Sequence, residues 1–164
     1  MRPQLNGGTL GGRGSKTLHS PTLDDVFKAY ANDAVAFAER RGIALDYSEE
    51  SLDRIDDILA SPEIVGRTPR EPASPEEEDE MWTLSKMLGA YVGEVAVRAF
   101  SGRWIAEDLA SGGARPVIEV CGIKGFPMEK VWKRLTESEF DNLGGYCRAV
   151  RAIVAQRTSA EVHD

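Results

Sequence analysis

The chain has 164 residues, 41% apolar and 29% charged, with 27 acidic against 20 basic side chains and a net charge of −7, the profile of one ordinary globular domain. No stretch approaches the roughly 20 consecutive apolar residues of a membrane span and no apolar run follows the basic residues near Met1, so the sequence predicts a cytoplasmic protein without a membrane segment. The acidity disfavours binding to phosphate backbones, and two cysteines, Cys121 and Cys147, fit a reducing compartment.

Residues 1–20 are Gly-rich and carry three positive side chains and no acid; too little apolar surface to offset the entropy of ordering predicts a flexible basic tail. Pro21 and Thr22 open a first helix to about residue 41, in which Leu23, Val26, Phe27, Tyr30, Ala34, Phe37 and Ala38 recur at helical spacing and Gly42 stands at the end. Ser48 is the expected N-cap of a second helix to about residue 60, with Tyr47 and Leu52 as its hydrophobic staple and Asp53, Asp56 and Asp57 on its polar face. Residues 61–75 hold four prolines and read as a loop.

Ser74-Pro75-Glu76-Glu77 combines a cap, a first-turn proline and a capping-box glutamate, and starts a third helix to about residue 100. Met81, Leu84, Leu88, Tyr91, Val92 and Val95 form one apolar stripe, while Trp82, Gly89, Gly93, Ala96 and Phe100 form another. Such a helix is expected between two layers. Gly89 and Gly93 each cost about 1 kcal/mol relative to Ala in a helix, a cost offset by close approach of a neighbouring element.

Segments 103–108 and 115–121 flank the turn-rich stretch 110–113 and read as a β-hairpin. A turn centred between Ser111 and Gly112 sets Asp108 opposite Arg115 and Trp104 opposite Glu119. After a turn at 122–125, Met128, Val131, Trp132 and Leu135 favour a short helix over a third strand. A last helix, about 139–156, buries Phe140, Leu143, Cys147, Val150 and Val154 before the chain frays over 158–164. The fold expected is therefore α+β, a single domain over residues 21–157 with about five helices and a small antiparallel hairpin or sheet. Its oligomeric state stays open, because the second face of the third helix can be covered within the chain or by another copy.

The two histidines, His19 and His163, lie at the ends, so the body lacks the usual partner for Ser-His-Asp, Cys-His or zinc chemistry. Gly-Gly-Arg-Gly-Ser-Lys-Thr in the tail has Ser15 where a phosphate loop needs Gly before Lys16, and no strand precedes it. The acidic groups Asp53/Asp56/Asp57 and 76–80 read as solvated helix faces, and Cys121 and Cys147 as buried structural thiols. No catalytic group, cofactor or metal follows from these residues. Glu94 stands out, since it flanks the main stripe of the packed helix, where burial demands a cation nearby. Arg98, Arg103, Lys130, Lys133 and Arg134 are the candidate partners, either in a structural ion pair or with one or two of them lining a polar recess walled by Trp104 or Trp132.

The ordered series Gly-Ala-Tyr-Val-Gly-Glu (89–94), Gly-Arg-Trp (102–104), Phe-Pro (126–127) and Val-Trp-Lys-Arg (131–134) resembles an uncharacterised bacterial domain family. The resemblance covers about residues 81–155. It implies an α+β fold and a shared role for Gly93, Glu94, Trp104, Lys133 and Arg134, and it implies no activity.

Charge and the missing catalytic groups point first to a non-catalytic binding protein that engages another protein through an acidic surface and the recess, an immunity or antitoxin-like inhibitor being one form. The alternative is a small enzyme or ligand-binding domain in which Glu94 acts with the nearby Arg and Lys. A nucleic-acid module built on Lys124, Lys130, Lys133, Arg134 and Arg148 with Trp132 as a stacking group is opposed by the overall charge.

Overall fold

Local capping chemistry fixes where the two long N-terminal helices begin in the computed structural model, which describes residues 19–65, 73–137 and 142–161. At the start of α1 (Leu23–Glu39), the Thr22 hydroxyl accepts from Asp25 N while Thr22 N donates to the Asp25 carboxylate at 2.9 Å. Ser74 and Glu77 repeat this reciprocal bonding at α4 (Pro75–Phe100). Each box satisfies amide donors that a helix start otherwise leaves open.

The expected α+β fold is what forms: the described residues hold six helices and one three-stranded antiparallel sheet in the order β1-β2-β3. α4 is the central element, packed against α1, α5 (Pro127–Thr136), β2 (Ala114–Val120) and α6 (Leu143–Glu161). α1 turns Ala31, Ala34 and Ala38 inward, all without solvent exposure, and these small side chains let the helix axes approach. On α4, Leu88, Tyr91, Val92 and Val95 are equally buried, each aliphatic one contributing about 1.5–3 kcal/mol of hydrophobic stabilisation. Gly89 carries the predicted close approach: a Cβ there would lie 2.6 Å from the Met128 Cα of α5. At Gly93 a Cβ would run into the Trp104 ring.

Several local expectations change. α2 (Ser51–Leu59) begins three residues beyond Ser48, whose hydroxyl and carbonyl both accept from Ser51 N at 3.2 Å in a tight turn that precedes the helix. Tyr47 sits at φ +61° and stacks on Tyr91 with ring centroids 4.8 Å apart, so its ring joins the core network described below. The segment 61–75 is not loop throughout: Ser61 O accepts from Ile64 N and Val65 N, forming the one-turn α3 (Pro62–Val65) that buries Ile64. Residues 66–72 lie outside the described residues.

The hairpin forms with a register one residue from that expected. β1 (Arg103–Asp108) pairs Asp108 with Ala114, Glu107 with Arg115, Trp104 with Ile118 and Arg103 with Glu119. The connection is five residues long because Gly112 and Gly113 both take positive φ and Leu109 N donates to Gly113 O at 2.9 Å. A single-residue slip exchanges every cross-strand partner. It places Trp104 beside Ile118 in the core and leaves two oppositely charged pairs on the other face. Cys121 and Gly122, at φ +49° and +72°, then make a two-residue turn into a third strand, β3 (Ile123–Gly125), where the sequence suggested only a turn. Residues 127–136 are helical, as their spacing predicts.

α6 starts at Leu143, several residues later than expected, and continues to Glu161 rather than ending near 156. Phe140, the tail up to residue 18 and His163 lie outside the described residues. The α6 start is capped from another helix: the Asp56 carboxylate of α2 accepts from Leu143 N at 2.9 Å and from Gly144 N at 3.4 Å. Among the described residues no helix is long and apolar enough to cross a membrane.

Candidate functional site

Three of the seven residues singled out in sequence come together. Glu94, 1% exposed, accepts from Trp104 Nε1 on Oε1 at 2.9 Å and pairs through Oε2 with Arg98 Nε at 3.3 Å. The helical repeat sets Arg98 one turn beyond Glu94, and the hairpin register brings the Trp104 indole over Gly93, where no side chain blocks it. Phe27 of α1 stacks on the other side of Trp104 at 4.2 Å.

The network continues away from the carboxylate. Arg98 lies 3.6 Å over the Tyr47 ring, Tyr47 stacks on Tyr91, and the Tyr91 hydroxyl bonds the Ser51 hydroxyl at 2.7 Å while accepting from Tyr47 N at 2.8 Å. Burial pushes both tyrosine hydroxyls above their ordinary range. Each polar atom of Glu94 is engaged inside the protein, so the carboxylate ties β1, α4 and the segment before α2 together. A general base must reach a substrate proton, and Glu94 lines neither of the two clefts described below.

The remaining candidates lie elsewhere. Arg103 pairs with Glu119 across the hairpin at 2.7 Å. Trp132 packs on Trp82, an exposed α4 side chain, with centroids 4.9 Å apart. Arg134 faces Asp56 at 3.5 Å, and Lys133 is exposed on α5. Of the expected cations and walls around Glu94, Arg98 and Trp104 are thus the ones that meet it, and Arg103, Trp132, Lys133 and Arg134 are engaged or placed elsewhere. Among the described residues no group of three or more His, Cys, Asp or Glu side chains is placed to hold a metal ion.

What sequence reasoning missed is a cleft of about 420 Å³ between α1, α3 and the N-terminal half of α4, within the range of binding cavities. Ile64 and Met81, each 4% exposed, form its floor, and half-buried Phe37, Leu84 and Met87 its walls. Asp79 and Glu80 stand on the rim at the end of the acidic run 76–80. Arg41 holds the α1 side in place, lying 3.6 Å over Phe37 and pairing with Glu63 of α3 at 2.7 Å. In sequence Met81 and Leu84 look like core and the acidic run like a solvated face. It is α3, carrying Ile64, that joins them into one surface.

Comparison of the chain with protein-family models, with curated proteins and with solved structures returned no match. The functional reading therefore rests on this chain's own residues.

Proposed function

We propose that the protein is a non-catalytic binding protein whose α1/α3/α4 cleft docks a basic, apolar-faced segment of a partner protein. The observation that carries this reading is the apposition of a Met-rich apolar cleft with Asp79, Glu80 and the acidic first turn of α4. Unbranched methionines adapt to varied apolar partners, and an acidic rim on a chain of net charge −7 steers a cationic partner toward the cleft before specific contacts form. An inhibitor of the immunity or antitoxin kind, acting on a basic toxin, is one form of this function. The enclosure of Glu94 supports binding over the alternative of Glu94-dependent catalysis.

The test is titration of the isotope-labelled protein with an 18-residue amphipathic helical peptide bearing Leu on one face and Lys on the other, and with its Glu-for-Lys counterpart. Amide shifts clustered at Phe37, Ile64, Met81, Leu84 and Met87 with the Lys peptide alone are expected. Met87→Lys should weaken binding at least tenfold, and the double change Asp79→Lys, Glu80→Lys should flatten its salt dependence. Shifts spread over the surface, or an affinity indifferent to these changes, overturn the proposal.

A further inference from the structure

A second cleft, of about 380 Å³, lies between β2, β3, α5 and α6 and shares no lining residue with the first. Its apolar part is built from Ile118, Val120, Ile123, Phe126, Val150 and Ile153. The first two are buried as its floor, whereas Ile153 is 41% exposed at the α6 lip. Gly125 shapes the interior: a Cβ there would strike the Tyr146 hydroxyl and lie 2.9 Å from Ile118, so glycine leaves the room that the hydroxyl occupies.

The charged lining runs against the sign of the whole molecule. Lys124, Lys130 and Lys133 stand at this cleft with one acid, Glu129, on a chain of net charge −7. Glu129 is already engaged by Arg115 at 2.6 Å, and Lys124 by Glu107 at 2.8 Å. Lys133 is exposed and has no carboxylate partner among the described residues. Phe126, a lining residue, caps α5 without a side-chain acceptor, and the acid that complements that helix end is Glu129 in its first turn.

An apolar trough beside an ammonium that no carboxylate of the described residues pairs matches a ligand with one anionic head and one apolar body. We propose that this cleft is a binding site for a small monocarboxylate with an unbranched apolar chain, the carboxylate held by Lys133 and the chain laid over Ile118, Val120 and Val150. The site is independent of the partner-docking cleft. It needs no covalent step.

The test is binding of decanoate to the full chain, followed by amide shifts and calorimetry, with decan-1-ol and decyltrimethylammonium as the uncharged and cationic controls. Saturable binding of decanoate with shifts at Ile118, Val120, Val150 and Ile153 is expected, with decanol about tenfold weaker and the cation not binding. Lys133→Ala, at an exposed position, should keep the fold and weaken decanoate about fivefold. Ala149→Trp, also exposed and on the cleft wall, should abolish saturation by filling the trough. Equal affinity for decanoate and decanol, an unchanged affinity in Lys133→Ala, or no saturable binding by a well-folded protein each overturn the assignment.

Discussion

A buried carboxylate is tolerated only when its oxygens are satisfied, and Glu94 meets that requirement with one neutral and one charged donor. The two donors are not equivalent. Trp104 is 5% exposed and has no water to turn to if its acceptor is removed, whereas the Arg98 side chain is 47% exposed and can be hydrated again. Most of the value of Glu94 therefore lies in the indole bond and in packing, since ion pairs with a solvated partner contribute at most about 1 kcal/mol. Glu94→Gln, which keeps an acceptor for the indole, should cost about 1 kcal/mol. Glu94→Ala should cost about 2–4 kcal/mol by stranding the Trp104 N–H and opening a cavity. Urea denaturation followed by tryptophan fluorescence distinguishes the two. Equal losses would transfer the role to the charge on Arg98, and no loss in either would remove Glu94 from the architecture of the core.

At the scale of elements, the turn between β2 and β3 holds a non-glycine residue, Cys121, at φ +49° ahead of Gly122 at +72°. Turns with two positive φ values favour Asn-Gly, and Cys121, unlike Cys147, is exposed rather than buried as expected, because its turn carries it out of the sheet. Cys121→Asn should therefore raise stability by about 0.5–1 kcal/mol, read as a higher urea midpoint at unchanged slope. A lower midpoint would mean that the thiol has packing duties that the exposed turn does not suggest. This turn also shows how far elements were legible in the sequence. Helix starts with reciprocal caps at Thr22 and Ser74 were legible because the signal is contained within four residues. The capping of α6 by Asp56 was not, since cap and helix are 87 positions apart. The hairpin register depended on two glycines both adopting positive φ, and a pattern of alternating residues fits two registers equally well. Of the candidate site, the Glu94–Arg98 pair was legible from helical spacing. The α1/α3/α4 cleft was not, because it depends on the one-turn helix α3, which carries Ile64 and which the proline-rich sequence there conceals.

Across the whole molecule, packing around α4 and α6 keeps several acidic hydroxyl and thiol groups neutral. Burial raises Tyr47, Tyr91 and Cys147 above their ordinary ranges and pushes Tyr146 up to about 12. Each of these groups ionises first in the unfolded chain, which therefore holds fewer protons than the fold between the ordinary and the raised value, and stability falls as pH rises through that window. On the acid side the sign reverses: hydrogen bonds from Thr22 to Asp25, from Ser48 to Asp46 and from Lys124 and Arg115 to Glu107 hold these carboxyls below their ordinary values, so their support is lost as pH falls. Stability should thus form a plateau near neutrality with a steep alkaline edge. Tyr146 is the group to isolate, because its hydroxyl is enclosed without a hydrogen bond, the backbone of Phe126 lying near it but outside bonding geometry. Tyr146→Phe removes both the unsatisfied hydroxyl and its ionisation. At pH 7 it should leave stability unchanged or raise it by up to about 1–2 kcal/mol. Its advantage over the natural chain should then widen by roughly 2 kcal/mol between pH 9 and 11.5, most of the about 1.4 kcal/mol carried by each unit by which the phenol is raised. Paired urea midpoints from pH 7 to 11.5 measure this divergence; curves that stay parallel above pH 10 would show that the Tyr146 hydroxyl reaches solvent at no cost to the fold.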